Sequence, residues 1–156
     1  MTEQSFIHYL ETTLGILEIR ADEIGITAIG FVAKPEYANN GNQHTALAVT
    51  QLSEYLAGTR THFTLSLNLK GTKFQQQVWA QLLKIPFGQT CSYKDIAEKI
   101  NNPKAVRAVG AANGRNPITI IVPCHRVIGS NGKLTGYAWG TSIKSTLLSL
   151  ESNLEP

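Results

Sequence analysis

The tightest constraint on the fold of this chain lies between Ser92 and Pro117, in the stretch SYKDIAEKINNPKAVRAVGAANGRNP. Ser92 or its neighbour starts a short helix, YKDIAEKI, and the Asn-Asn-Pro that follows interrupts it. Asn102 then suits the N-cap of a second helix, Pro103 its first helical position, and Gly114 its C-terminal end. Two short helices joined by so tight a turn form a helix-turn-helix pattern. Many helix pairs of this kind are packing units only, so the pattern alone does not assign DNA binding. The composition of the second helix adds to it: Ala105, Ala108, Ala111 and Ala112 are small enough to let a partner backbone approach, Val106 and Val109 are available for core contacts, and Lys104 and Arg107 sit among them. An alanine-rich helix is also simply a stable one.

Upstream of this region the pattern changes. FIHYLET, LGILEIRA and GITAIGFV are short, rich in β-formers and separated by turn residues, which reads as hairpins. KPEYANNGNQ is a loop. HTALAVTQLSEYLAG places Leu47, Leu52, Tyr55 and Leu56 at helical spacing, with Gly58 to end the helix, and HFTLSLN alternates like a further strand. A boundary falls near LKGT, so residues 1–68 are expected to form a β-sheet domain with one helix and residues 69–156 a mainly helical domain. The fold class is α/β in the broad sense, an α+β arrangement. After the boundary Thr72 caps a helix whose apolar face comprises Phe74, Val78, Trp79, Leu82 and Leu83, and Pro86 stops it.

Charge divides along the same line. Residues 1–66 carry three basic against seven acidic residues, net −4, and residues 67–156 carry eleven against four, net +7. A basic C-terminal part suits an anionic partner such as nucleic acid, although a solvated basic face has the same composition. No stretch approaches the length of a membrane span and the N-terminus lacks the regions of a signal peptide, so an intracellular, cytoplasmic protein is expected. Two cysteines, Cys91 and Cys124, and four scattered histidines offer neither a disulfide framework nor zinc-ligand spacing, so no metal is expected.

The chemistry concentrates in IVPCHRVIGS, residues 121–130. Cys124 follows Pro123 and precedes His125 and Arg126. A thiolate is the nucleophilic form of cysteine, and a neighbouring base or cation favours it. A carboxylate behind His125 would fix its tautomer, and Asp95, Glu98, Glu151 and Glu155 are the acidic residues available in the C-terminal part. These residues alone do not choose among the four, and a buried inert cysteine is the other reading.

PCHRVIG, with Asn116–Pro117 before it, Gly136–Tyr137 after it, the helix-turn-helix segment and the terminal KSTLLSLE, resembles the O6-alkylguanine-DNA alkyltransferase family over about residues 72–151. The resemblance implies direct, irreversible, single-turnover transfer of an alkyl group from O6-alkylguanine in DNA, with O4-alkylthymine a further substrate to consider. In that scheme Cys124 is the acceptor, His125 deprotonates it through a water, and Glu151 orients His125. Tyr93 hydrogen-bonds the flipped guanine, and Asn116 ties the second helix to the active-site segment. It further implies that Arg107 enters the base stack, and that Ala105, Ala108, Lys104 and Arg115 contact DNA through the minor groove. Pro123, Val127, Tyr137, Ala138 and Trp139 line the pocket. Double-stranded DNA carrying the lesion is the implied partner, no cofactor is implied, and a monomer is expected. Many members have glycine where this chain has Trp139. An indole pointing inward fills space that a benzyl group needs, whereas one packing outward leaves it open. The competing reading is a lesion-sensing relative without transfer activity, but such proteins replace the acceptor cysteine, and Cys124 is present.

Overall fold

The computed structural model describes residues 5–134 and 136–153. Glu155, one of the four acidic residues considered above, lies outside them. The chain forms two compact units, the first running to Lys70 and including Pro117–Thr119, the second made of Gly71–Asn116 and the chain from Ile120 onward.

In the first unit three antiparallel strands, β1 (Phe6–Thr12), β2 (Gly15–Ala21) and β3 (Ile26–Val32), form a sheet in the order β1-β2-β3. The central strand alternates as a half-buried strand should, with Leu17 and Ile19 fully buried. Helix α1 (Gln43–Leu56) packs on this sheet and buries Ala48, Leu52 and Tyr55. Asn42 caps it, accepting from the backbone of His44 and Thr45. Leu47, expected on the apolar face, is 45% exposed because the buried stripe runs instead through Thr45, Ala48, Gln51, Leu52 and Tyr55.

The strand expected in HFTLSLN is reduced to one parallel bridge, Ile26 to Leu67. Only the Ile26 amide bonds Ser66 and only the Asn68 amide bonds Ile26, so the alternating sequence finds a partner at one point. Alternation describes which side chains face inward, but a strand also needs a neighbour to share a ladder with.

The second unit holds α2 (Lys73–Leu82), β4 (Cys91–Ser92), α3 (Tyr93–Lys99), α4 (Val106–Gly114), a 3₁₀ turn at Cys124–Arg126, β5 (Val127–Ile128) and α5 (Thr141–Asn153). Thr72 and Gln75 form a capping box at the start of α2, and Ser92 and Asp95 form another at α3. Helix α2 ends at Leu82 rather than at Pro86. The chain there tightens into turns, Lys84 N–H to Gln81 and Ile85 N–H to Leu82, which bury Ile85 and leave Leu83 44% exposed. Trp79, almost fully buried, donates its indole N–H to Ala112 O at 2.9 Å and so pins α2 to α4.

Helix α4 begins three residues later than Pro103 would place it. The two asparagines terminate α3 and do not start α4. Asn101 takes the left-handed conformation at φ 60° and its N–H bonds Glu98 O, while Asn102 N–H bonds Ala97 O, the paired bonds of a Schellman ending. Ala105 therefore occupies the N-cap position with no side-chain cap. The segment leading into the helix, residues 101–104, is exposed throughout, and in the helix itself Val106 is 37% exposed while Val109 is fully buried. Val106 is thus not the core residue its spacing suggests.

Candidate active site

Cys124 sits at the start of the 3₁₀ turn after Pro123, which is itself buried, and is 6% exposed. The approach to it is strained: Ile120 is buried at φ 72°, a conformation costing a β-branched residue roughly 1–2 kcal/mol. Two asparagines from α4 and its end hold the segment. Asn116 Nδ2 donates to Val122 O at 2.8 Å and lies 3.2 Å from Cys124 Sγ. Asn113 Nδ2 donates to Cys124 O at 3.4 Å.

The tight 3₁₀ turn directs the next two side chains inward. His125 is fully buried and its Nε2 lies 2.7 Å from Glu151 Oε2. Because Nε2 faces a carboxylate it carries the proton, which leaves a lone pair on Nδ1. Arg126 binds the same carboxylate from the other side, Nε to Oε1 at 2.8 Å and Nη2 to Oε2 at 3.0 Å, and donates Nη1 to Ile85 O at 2.7 Å. The Gly88 amide adds a longer bond to Glu151 Oε1 at 3.4 Å. Of the acidic residues considered that the structure describes, Glu151 is therefore the one behind His125. Its position follows from α5, which brings it across from the turn at 1% exposure.

Lys144, also on α5 and fully buried, donates Nζ to Val127 O at 2.6 Å. Burial pushes the Cys124 thiol above its ordinary range, opposed by the Asn116 hydrogen bond and by the charge of Lys144. Burial pulls His125 below its ordinary value, opposed by the hydrogen bond and charge of Glu151. Burial likewise lowers the Lys144 ammonium. The resting pair is therefore a neutral thiol and a neutral imidazole, so the thiolate forms only when the proton is drawn off. The cation acting on the thiol is Lys144, whereas Arg126 is directed at Glu151.

The parallel pairing of Cys91 with Val127 and Ser92 with Ile128 sets the start of α3 beside β5. Tyr93, the first residue of α3, lies against the loop around Gly136. A Cβ at Gly136 would come within 2.9 Å of the Tyr93 hydroxyl, and Gly136 also holds φ 67°, so glycine is favoured there by its backbone and by the close approach of Tyr93. In the same loop Tyr137 is buried, and Ala138 and Trp139 are exposed, Trp139 by 37%. Val127 is buried. On α4 and its flanks Lys104, Arg107, Ala108 and Arg115 are exposed and Ala105 is half-buried. Cys91 is half-buried and burial raises its thiol.

Of the expected site residues, Asn116 thus meets Cys124 directly and Glu151 meets His125 directly, the two pairs being joined by the chain between Cys124 and His125. Sequence reasoning missed Arg126, Lys144 and Asn113 as members of the site. The charge of Arg126 and Lys144 in apolar surroundings is visible in the sequence, but not the groups that they bind. Asn113 carried no signal. Among the described residues no three His, Cys, Asp or Glu side chains group as metal ligands, and no helix is long and apolar enough to cross a membrane.

Comparison with known proteins places this architecture. The 6-O-methylguanine DNA methyltransferase DNA binding domain matches residues 73–153, and the ribonuclease-like domain of the same family matches residues 6–69. The methylated-DNA–protein-cysteine methyltransferase of Mycobacterium tuberculosis is 59% identical over 109 residues, which span 70% of this chain and 66% of that protein. That of Methanosarcina acetivorans is 46% identical over 149 residues, 92% of this chain and 96% of the relative. The crystal structure of the M. tuberculosis O6-methylguanine methyltransferase superposes with a TM-score of 0.88 at 43% identity, covering 98% of this chain and 96% of that one. The same organism's enzyme in complex with DNA gives a TM-score of 0.86 at 45% identity, covering 95% and 93%. With both of its units matched in chain order, the chain belongs to the 6-O-methylguanine DNA methyltransferase family.

Proposed function

We propose that the protein repairs DNA by moving the alkyl group of O6-alkylguanine onto Cys124 Sγ, once per molecule. The observation that carries this is the buried His125–Glu151 pair, its histidine next to Cys124 in the chain, with His125 Nδ1 left as an acceptor. A base inside a duplex cannot reach a buried sulfur, so the nucleotide is flipped out. The exposed face of α4 suits the minor groove: Ala108 allows close approach, Arg107 enters the stack, and Lys104 and Arg115 meet phosphates. Binding of this kind is weakly sequence-specific and falls steeply with salt.

His125 Nδ1 receives the thiol proton through a water, and the Glu151 carboxylate stabilises the imidazolium that results. The thiolate attacks the alkyl carbon, the bond from carbon to guanine O6 breaks, and a thioether forms at Cys124. Tyr93 donates a hydrogen bond to the departing guanine, with Asn116 N–H facing the sulfur. Trp139 narrows the entrance to larger alkyl groups. No group in the site reverses a thioether, so turnover stops at one. The protein acts as a monomer in the cytoplasm.

Incubating the protein with duplex DNA containing O6-methylguanine should add one methyl group to the intact mass, and peptide mapping should place it on Cys124. Label on Cys91, or more than one lesion repaired per chain, overturns the reading. A pH profile follows from His125. Burial disfavours the imidazolium, so the neutral base persists as pH falls through about 6.5, where a free histidine protonates. Transfer to the free base O6-methylguanine should therefore hold its rate through that range and fall only at lower pH. An acid limb at or above the ordinary histidine value would contradict the assignment.

A further inference from the structure

Two buried polar atoms flank the peptide of Cys124. His125 Nδ1 and Asn113 Oδ1 are both out of solvent, and neither meets a hydrogen-bonding group among the described residues. An unsatisfied buried acceptor costs about 1–3 kcal/mol, so two at one cysteine require a cause. Asn113 is 2% exposed, near the end of α4. Its amide orientation is fixed by the bond from Nδ2 to Cys124 O at 3.4 Å, since a flipped amide would set oxygen against oxygen. His125 likewise has one orientation, with Nε2 on Glu151. Both orphan atoms are therefore acceptors, and neither can satisfy the other. A group with two hydrogens satisfies both.

We infer that Asn113 is a positioning residue for proton transfer from Cys124, its Oδ1 accepting one hydrogen of the water that carries the thiol proton to His125 Nδ1. The inference rests on the proposed function and goes beyond it. With one O–H held by Asn113 and the other aimed at Nδ1, the water presents a lone pair to the thiol. The S–H proton passes to that oxygen as the oxygen releases the hydrogen facing Nδ1. The products are a thiolate, an imidazolium and a water still bonded to Asn113. Asn116, three residues on, donates to the sulfur. Helix α4 and its C-terminal end thus supply a contact on each side of the reacting proton, one orienting its carrier and one facing the thiolate.

The test is a double-mutant cycle between Asn113→Leu and His125→Ala, read as single-turnover methyl transfer from duplex DNA and from the free base. Leucine matches asparagine in size but offers no acceptor. Asn113→Leu alone should slow transfer about tenfold on both substrates with DNA affinity unchanged, and should slow the His125→Ala protein less than about twofold further, because both residues act through one water. Asn113→Ala, which introduces no branched side chain, carries the same cycle if the leucine variant does not fold. Losses that multiply, or a variant as fast as wild type, overturn the role of Asn113 while leaving transfer to Cys124 standing. A wild-type protein that takes up no methyl group overturns both.

Discussion

Replacing Glu151 with glutamine should slow alkyl transfer by about two orders of magnitude and lower stability by about 3 kcal/mol, because one carboxylate serves two partners. Toward His125 it holds the tautomer that leaves Nδ1 free to accept a proton, and it offsets the charge that appears when the proton arrives. Toward Arg126 it neutralises a guanidinium that is only 7% exposed. Glutamine keeps the shape and loses the charge, so Arg126 becomes a buried cation without its counter-ion. The two consequences separate in the double variant Glu151→Gln with Arg126→Met. Removing the stranded cation should recover most of the stability in urea unfolding, while the single-turnover rate stays low. Recovery of both together would mean that Glu151 acts on the reaction only by holding the fold. DNA affinity, measured in parallel, should not change in either variant, since neither residue reaches the exposed face of α4.

The parts of the fold that sequence made legible are those decided locally. The hairpins, the cap at Thr72 and the cap at Ser92 depend on residues a few positions apart, and each formed where the residues put it. Asn101 and Asn102 show where local reading stops. Asparagine suits both an N-cap and a left-handed C-terminal position, and which use prevails depends on whether the preceding helix needs its last carbonyls satisfied. Here it does, and Ala97 and Glu98 take both amides. HFTLSLN failed for the complementary reason, since strand pairing is a property of the neighbour as much as of the segment. Within the site, His125 and Glu151 are 26 residues apart and their pairing rested on resemblance, not on spacing. Arg126, Lys144 and Asn113 were hidden because their partners are a distant carboxylate and two backbone carbonyls, none of which leaves a periodic trace.

Arg107 provides the second large effect and the sharpest division between docking and chemistry. It is exposed in the first turn of α4, next to the exposed Val106, and belongs to none of the contacts that surround Cys124. Filling the gap left by an extruded nucleotide offsets an unstacking cost of a few kcal/mol, so Arg107→Ala should slow repair of duplex DNA by about a hundredfold. The free base O6-methylguanine has no stack to leave. Its reaction with the variant should stay within about twofold of wild type, because the proton path from Cys124 is untouched. A lesion placed opposite a mismatched base is already partly unstacked, and the variant should recover much of its rate there. Lys104→Ala offers the contrast: removing a phosphate contact should weaken binding to matched and mismatched duplexes alike and reduce the salt dependence. If Arg107→Ala instead loses the same factor on duplex and free base, the arginine shapes the pocket and not the stack. If the loss on duplex disappears at saturating protein, its contribution is to affinity, and extrusion must be driven by another residue on the same face.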